Sequence, residues 1–183
     1  MKILTKTLFI TLSISLAIAC KQNTQNEETE VNLEHNEQMD HSSKPTAGVS
    51  FENENVSAIV NSYLALKDAL VETDGEKAKS ATSELVSILA TSNLEGISEM
   101  EVEVKKITET ADPEVQRTSF DVISNQMVQL VKNSVLTEGK LYKQYCPMAK
   151  NNEGAFWISA SNEIRNPYFG DKMLKCGSVE EEI

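Results

Sequence analysis

Apolar side chains return at three- and four-residue steps through the middle of this 183-residue chain, and that spacing predicts helices. Val56, Ile59, Val60, Tyr63, Leu66 and Leu70 define the first, which Asp74-Gly75 breaks. Ala78, Ala81, Leu85, Ile88 and Leu89 define a second, ending around 93–96, and Met100, Val104, Ile107 and Ala111 a shorter third. Asp112-Pro113-Glu114 supplies an N-cap, a proline at the first helical position and an acid in the first turn. It opens a fourth helix carried by Phe120, Ile123, Met127, Leu130 and Ser134. Four amphipathic segments with short connections predict a mainly α fold, a four-helix antiparallel bundle over 51–138. Met100 and Met127 fall on the apolar stripes and are read as core rather than as ligands.

After Gly139 the pattern changes. Strands near 141–145 and 155–159, joined through Asn151-Asn152-Glu153-Gly154, predict a small hairpin and turn subdomain over 139–183. Six aromatic residues (Tyr142, Tyr145, Phe156, Trp157, Tyr168 and Phe169) gather there with Cys146 and Cys176. The two parts together make one domain, 51–183.

Ahead of the domain the chain reads as a leader and a tether. Lys2 and Lys6 precede an apolar run from Leu8 to Ala19 that stops at Ala17-Ile18-Ala19, the pattern of a secretory signal. About a dozen apolar residues are too few to span a bilayer. Cys20 follows directly, and the arrangement resembles the lipobox of bacterial lipoproteins, with Ala17 where leucine is usual. That resemblance implies a signal peptide over 1–19 and a lipidated Cys20 whose acyl chains, palmitate among them, anchor the protein in the membrane of the cell envelope, facing the periplasm. From 21 to 50 the chain has almost no large apolar side chain, so 20–50 is read as the lipidated cysteine and a disordered tether. His35, Met39 and His41 in that tether are a possible secondary metal group, or simply part of an acidic spacer.

Charge and composition narrow the function. The formal net charge of −11 disfavours nucleic acid and anionic surfaces as partners, although the excess acid lies mostly on the helical region and the last 45 residues are balanced. The only two histidines, His35 and His41, lie in the tether, so the domain holds no material for a His-based triad or a Cys–His dyad. The chain is therefore expected not to be an enzyme. Cysteine-dependent redox chemistry is disfavoured as well, because there is no Cys-x-x-Cys and no basic residue directly before Cys146.

The informative residues are Cys146-Pro147-Met148 and Met173-Leu174-Lys175-Cys176-Gly177. In an extended segment Cys146 and Met148 face the same way, and on a helical turn Met173 and Cys176 share a face. If the half-sites meet they form a pocket of two thiolates and two thioethers, which suits Cu(I) and by extension Ag(I). Against this, two cysteines remaining in an oxidising compartment are the usual sign of a disulfide, here Cys146–Cys176, and then no metal cofactor is needed.

Four ordered motifs, Tyr145-Cys146-Pro147-Met148-Ala149, Gly154-Ala155-Phe156-Trp157-Ile158-Ser159, Asn166-Pro167-Tyr168-Phe169-Gly170 and Met173-Leu174-Lys175-Cys176-Gly177, closely resemble a bacterial domain family of unknown function. That family occurs as small lipoproteins and as an extension on periplasmic adaptor proteins of copper/silver RND efflux pumps. The resemblance implies metal handling in the periplasm, with Cys146, Met148, Met173 and Cys176 as ligands and an efflux adaptor as partner. It leaves Trp157, Asn166, Pro167, Tyr168 and Gly170 to build the turn and the apolar wall. Two functions stand side by side: a membrane-anchored heavy-metal-binding protein, a Cu(I)/Ag(I) chaperone or buffer associated with efflux, and a disulfide-stapled structural or interaction lipoprotein. The leader reading makes one prediction of its own: Cys20→Ser moves the protein from the membrane fraction to the soluble fraction, and unchanged membrane retention refutes lipidation at Cys20.

Overall fold

The computed structural model describes residues 48–183. The leader, Cys20 and the tether residues His35, Met39 and His41 lie outside the described residues. Four long helices dominate: α1 (Glu54–Val71), α2 (Gly75–Thr91), α3 (Ser98–Thr108) and α4 (Pro113–Lys132). Three of them start where side chains satisfy the first-turn amides: Asn53 accepts from Asn55 and Val56, Asp74 from Lys77, and Asp112 from Glu114. The third starts at Ile97 without a side-chain cap. Each helix packs on the next in sequence, and α1 also meets α4. The predicted stripes supply the core, with Ile59, Tyr63, Leu66, Leu70, Leu85, Met100, Ile107, Phe120, Ile123 and Met127 fully buried. Among the described residues no helix is long and apolar enough to cross a membrane.

The expected boundary at 51 falls late. Val49 is buried in the core, and Asn61 grips its backbone from both sides, accepting from its N–H at 3.2 Å and donating to its carbonyl at 2.9 Å. Ser50–Phe51 (β1) pairs antiparallel with Leu136–Glu138 (β2), closing the helical region at its two chain ends. Two details of the helices also differ. Ala111 is exposed because α3 ends at Thr108, and the fourth helix stops at Lys132, short of Ser134. Leu130 is only half-buried, and Val128 and Val131 carry the last turn of the stripe instead.

The C-terminal segment is a three-stranded antiparallel sheet in the order β4 (Ala155–Ser159), β3 (Tyr142–Cys146), β5 (Ser178–Glu182). Between β3 and β4 the expected turn contains α5 (Ala149–Asn152), in which Lys150 and Asn151 take left-handed angles. Lys150 is held there by Asp121 of α4 at 2.6 Å. A short 3-10 turn, η1 (Gly170–Met173), precedes β5.

The sheet and its loops are joined to the helices by buried polar groups as well as by packing. The Tyr63 hydroxyl, 2.9 Å from Ser124 Oγ, accepts the Ile158 N–H of β4 at 3.1 Å. Arg117 of α4 donates from Nε to the Pro167 carbonyl at 2.8 Å and from Nη2 to the Leu70 carbonyl at 3.1 Å. Aromatic rings continue the joint: Tyr63 stacks on Phe120, Phe120 meets Tyr168, and Tyr168 meets the edge of Trp157. The burial pattern predicts unequal core truncations: Ile123→Ala costs about 2–5 kcal/mol, and Leu130→Ala less than about half of that. Urea midpoints of the two variants check this, and equal losses contradict the half-buried placement of Leu130.

Candidate functional site

Cys146 is the last residue of the central strand β3, opposite Ala155 of β4. Its place there is fixed from both sides, since β3 pairs with β4 and with β5. Tyr145 is in register with Ser178, so continuing the antiparallel register sets Cys146 beside Gly177 and brings Cys176 diagonally across from it. Cys176 reaches that position on a turn: its N–H donates to the Met173 carbonyl at 3.0 Å. Asn166, fully buried, holds the loop closed. Its Nδ2 donates to the Cys176 carbonyl at 2.8 Å, its Oδ1 accepts the Tyr168 N–H at 2.8 Å, and its own N–H donates to the Leu174 carbonyl at 2.8 Å. Gly177 follows at φ 142°, where a Cβ would stand 2.7 Å from the Tyr145 carbonyl and 3.0 Å from Trp157 Cη2. Only glycine fits, because the backbone there is pressed between the central strand and the indole.

The two sulfurs, thirty positions apart in sequence, lie 2.6 Å from each other as free thiols. Cys146 is fully buried, whereas Cys176 is half-buried. The methionines join the pair through their backbones: the Met148 N–H donates to the Cys176 sulfur, and the Met173 carbonyl accepts the Cys176 N–H. The Met148 side chain is 47 % exposed and that of Met173 is half-buried. Met148 is not in extended backbone. The strand stops at Cys146 and Met148 takes α angles, φ −88° and ψ −11°, so the shared face expected of an extended Cys146–Met148 pair does not form. Met173 and Cys176 do occupy one turn, as their spacing predicts. Among the described residues no group of three His, Cys, Asp or Glu side chains gathers where it could hold a metal ion.

Trp157 is fully buried, with its Cη2 against Gly177. Two contributors were not visible in the sequence. One is β5, whose Ser178–Glu182 run is exposed throughout and has no apolar alternation to announce a strand. The other is the Asp121–Lys150 pair, which fastens the turn after Cys146-Pro147-Met148 to α4 and has no local sequence signal at all.

Electrostatics at the pair follow from the contact. The Cys176 thiol is pushed up to about 11 from an ordinary 9.0, first by its hydrogen bond to Cys146 and then by burial, while the Met148 N–H pulls the other way. A thiol that holds its proton more tightly when folded stabilises the reduced fold below pH 9.0, and that contribution is lost as pH rises through about 11. The reduced protein is therefore expected to lose stability between those values, and Cys146→Ala, which removes the partner sulfur, is expected to reduce that loss. Urea midpoints of both proteins across that range, with thiolate absorbance followed in parallel, check the prediction.

No curated protein and no solved structure matches the chain. Residues 59–139, which run from the first helix through β2 and end ahead of both cysteines, match a family model described as a protein of unknown function (DUF3347).

Proposed function

We propose that this protein is a lipid-anchored, periplasm-facing binding protein for a soft monovalent metal ion, Cu(I) or Ag(I), acting as a chaperone or buffer without catalysing a reaction. The observation that carries the reading is the meeting of Cys146 and Cys176 at the end of the sheet's central strand, one sulfur buried and the other half-accessible. Two thiolates form a soft donor set that selects such ions over calcium, magnesium or manganese. Met148 and Met173 sit beside the pair through their backbones, close enough in sequence for their thioethers to complete the set. On this reading the four helices form an antiparallel bundle, consecutive pairs packing across short loops, and serve as the rigid base for the sulfur site. Cys20 tethers it to the membrane, His35, Met39 and His41 are a secondary acceptor, and a copper/silver efflux adaptor is the partner that receives the ion.

A second reading is favoured by the same contact. Two cysteines brought into contact within one domain are also what a Cys146–Cys176 staple requires, and the oxidised domain then serves as a structural or interaction module of the envelope.

Competition for Cu(I) against a chelator separates the two. The reduced wild type is expected to bind one ion, and the Cys146→Ser/Cys176→Ser double variant to bind more than about ten-fold more weakly. Met148→Leu and Met173→Leu lose less, since they remove neutral ligands. Deleting 21–47, which spares Val49 and β1, leaves most of the affinity. A double cysteine variant that binds as tightly as wild type refutes the metal reading and leaves the staple.

A further inference from the structure

The two sulfurs are in contact but are not equivalent, and this asymmetry assigns them different chemistry. Cys146 sits at the end of the central strand with no exposed surface, walled by the neighbouring strands and lying next to Gly177, which packs on the Trp157 ring. Cys176 lies on a turn and is half-exposed, with its N–H bonded back to the Met173 carbonyl. Small reagents from solvent therefore reach Cys176 and not Cys146. Once Cys176 has been modified, Cys146 is the thiol in position to reach it.

We propose that Cys146 and Cys176 form a thiol–disulfide exchange site for small-molecule disulfides, with Cys176 the exchanging sulfur and Cys146 the resolving sulfur. In the first step the Cys176 thiolate attacks one sulfur of a disulfide RSSR, forming the Cys176 S–SR bond and releasing RS⁻, which takes up the proton Cys176 gave up. In the second, Cys146 attacks the Cys176 sulfur; the Cys146–Cys176 bond forms, the second RS⁻ leaves, and it takes the Cys146 proton. One RSSR is reduced to two RSH while the protein loses two electrons and two protons. The exchange is stoichiometric, and it does not depend on metal binding. Absence of Cys-x-x-Cys does not bear on it, because the register of β3 and β5 brings together what the sequence separates.

Oxidised glutathione is the probe. The mature, reduced, full-length protein and its Cys146→Ser and Cys176→Ser variants are incubated with it, and products are read by intact mass and peptide mapping, with Cys20 scored separately. In the Cys146→Ser variant, Cys176 is expected to accumulate one glutathione. In Cys176→Ser, Cys146 is expected to react more slowly by about ten-fold or more while folded, and readily once denatured. Wild type is expected to pass through a mixed disulfide at Cys176 and end two hydrogens lighter. Because serine at the buried Cys146 site can unfold the domain, brief alkylation of reduced wild type gives an independent order, with Cys176 labelled first. Labelling of Cys146 as fast as Cys176, or wild type that stops at a mixed disulfide without closing, overturns the assignment. The Cu(I) competition is unaffected by either result, so failure here and failure of the metal reading are distinguishable.

Discussion

A single buried hydroxyl does much to decide how this protein is put together. Tyr63 stands on α1, touches Ser124 on α4 and accepts the Ile158 N–H of β4, so one oxygen joins two helices to the sheet. Some 45 residues after Gly139 are too few to bury a core of their own. The sheet must therefore share the helical core, and burying its strand against helices exposes it to the cost of unpaired backbone groups, about 1–3 kcal/mol each. Tyr63 satisfies one such group, and Arg117 satisfies the Pro167 and Leu70 carbonyls. The stacked rings of Tyr63 and Phe120, continued by Tyr168 and Trp157, supply the apolar part of the same joint.

From this joint the sulfur site inherits two different degrees of restraint. Cys146 belongs to the strand that has neighbours on both sides, and its side chain faces the shared core. Cys176 belongs to a loop closed on itself by Asn166, whose amide grips the Cys176 carbonyl while its oxygen caps the turn at Tyr168. One sulfur is thus part of the fold, and the other is held near it by a hydrogen-bonded loop.

Local physics made the helices readable in advance. Their buried faces follow a three-four repeat and Asp112 announces the fourth as its cap, while Asp74, read as a break, also caps the second, and the cap at Asn53 came only from the structure. The β3–β4 hairpin was legible from its apolar and aromatic residues and the Asn-Asn-Glu-Gly turn. What stayed hidden depended on long-range pairing. Val49 looks like part of a polar tether until Asn61 is seen to bind its backbone. Leu130 fits the apolar period, yet Val131 next to it takes the core position as the helix nears its end. The proximity of Cys146 to Cys176 was inferred from residue type, but its cause is the pairing of β3 with a glutamate-rich strand that no periodicity marks.

The two proposed readings, metal binding and a disulfide, draw on the same two sulfurs, which the fold holds in different ways. The strand does not yield easily, so any adjustment falls on Cys176. Its surroundings are close: the Gly177 backbone is tight against the Tyr145 carbonyl and the Trp157 ring, and the Asn166 amide donates to the Cys176 carbonyl. A shift of the Cys176 backbone in either direction acts on the Asn166 hydrogen bond and on the packing of Gly177. Under either proposed chemistry the 166–176 loop sets how far the Cys176 backbone can adjust, and Asn166, neither a ligand nor a thiol, is part of that restraint.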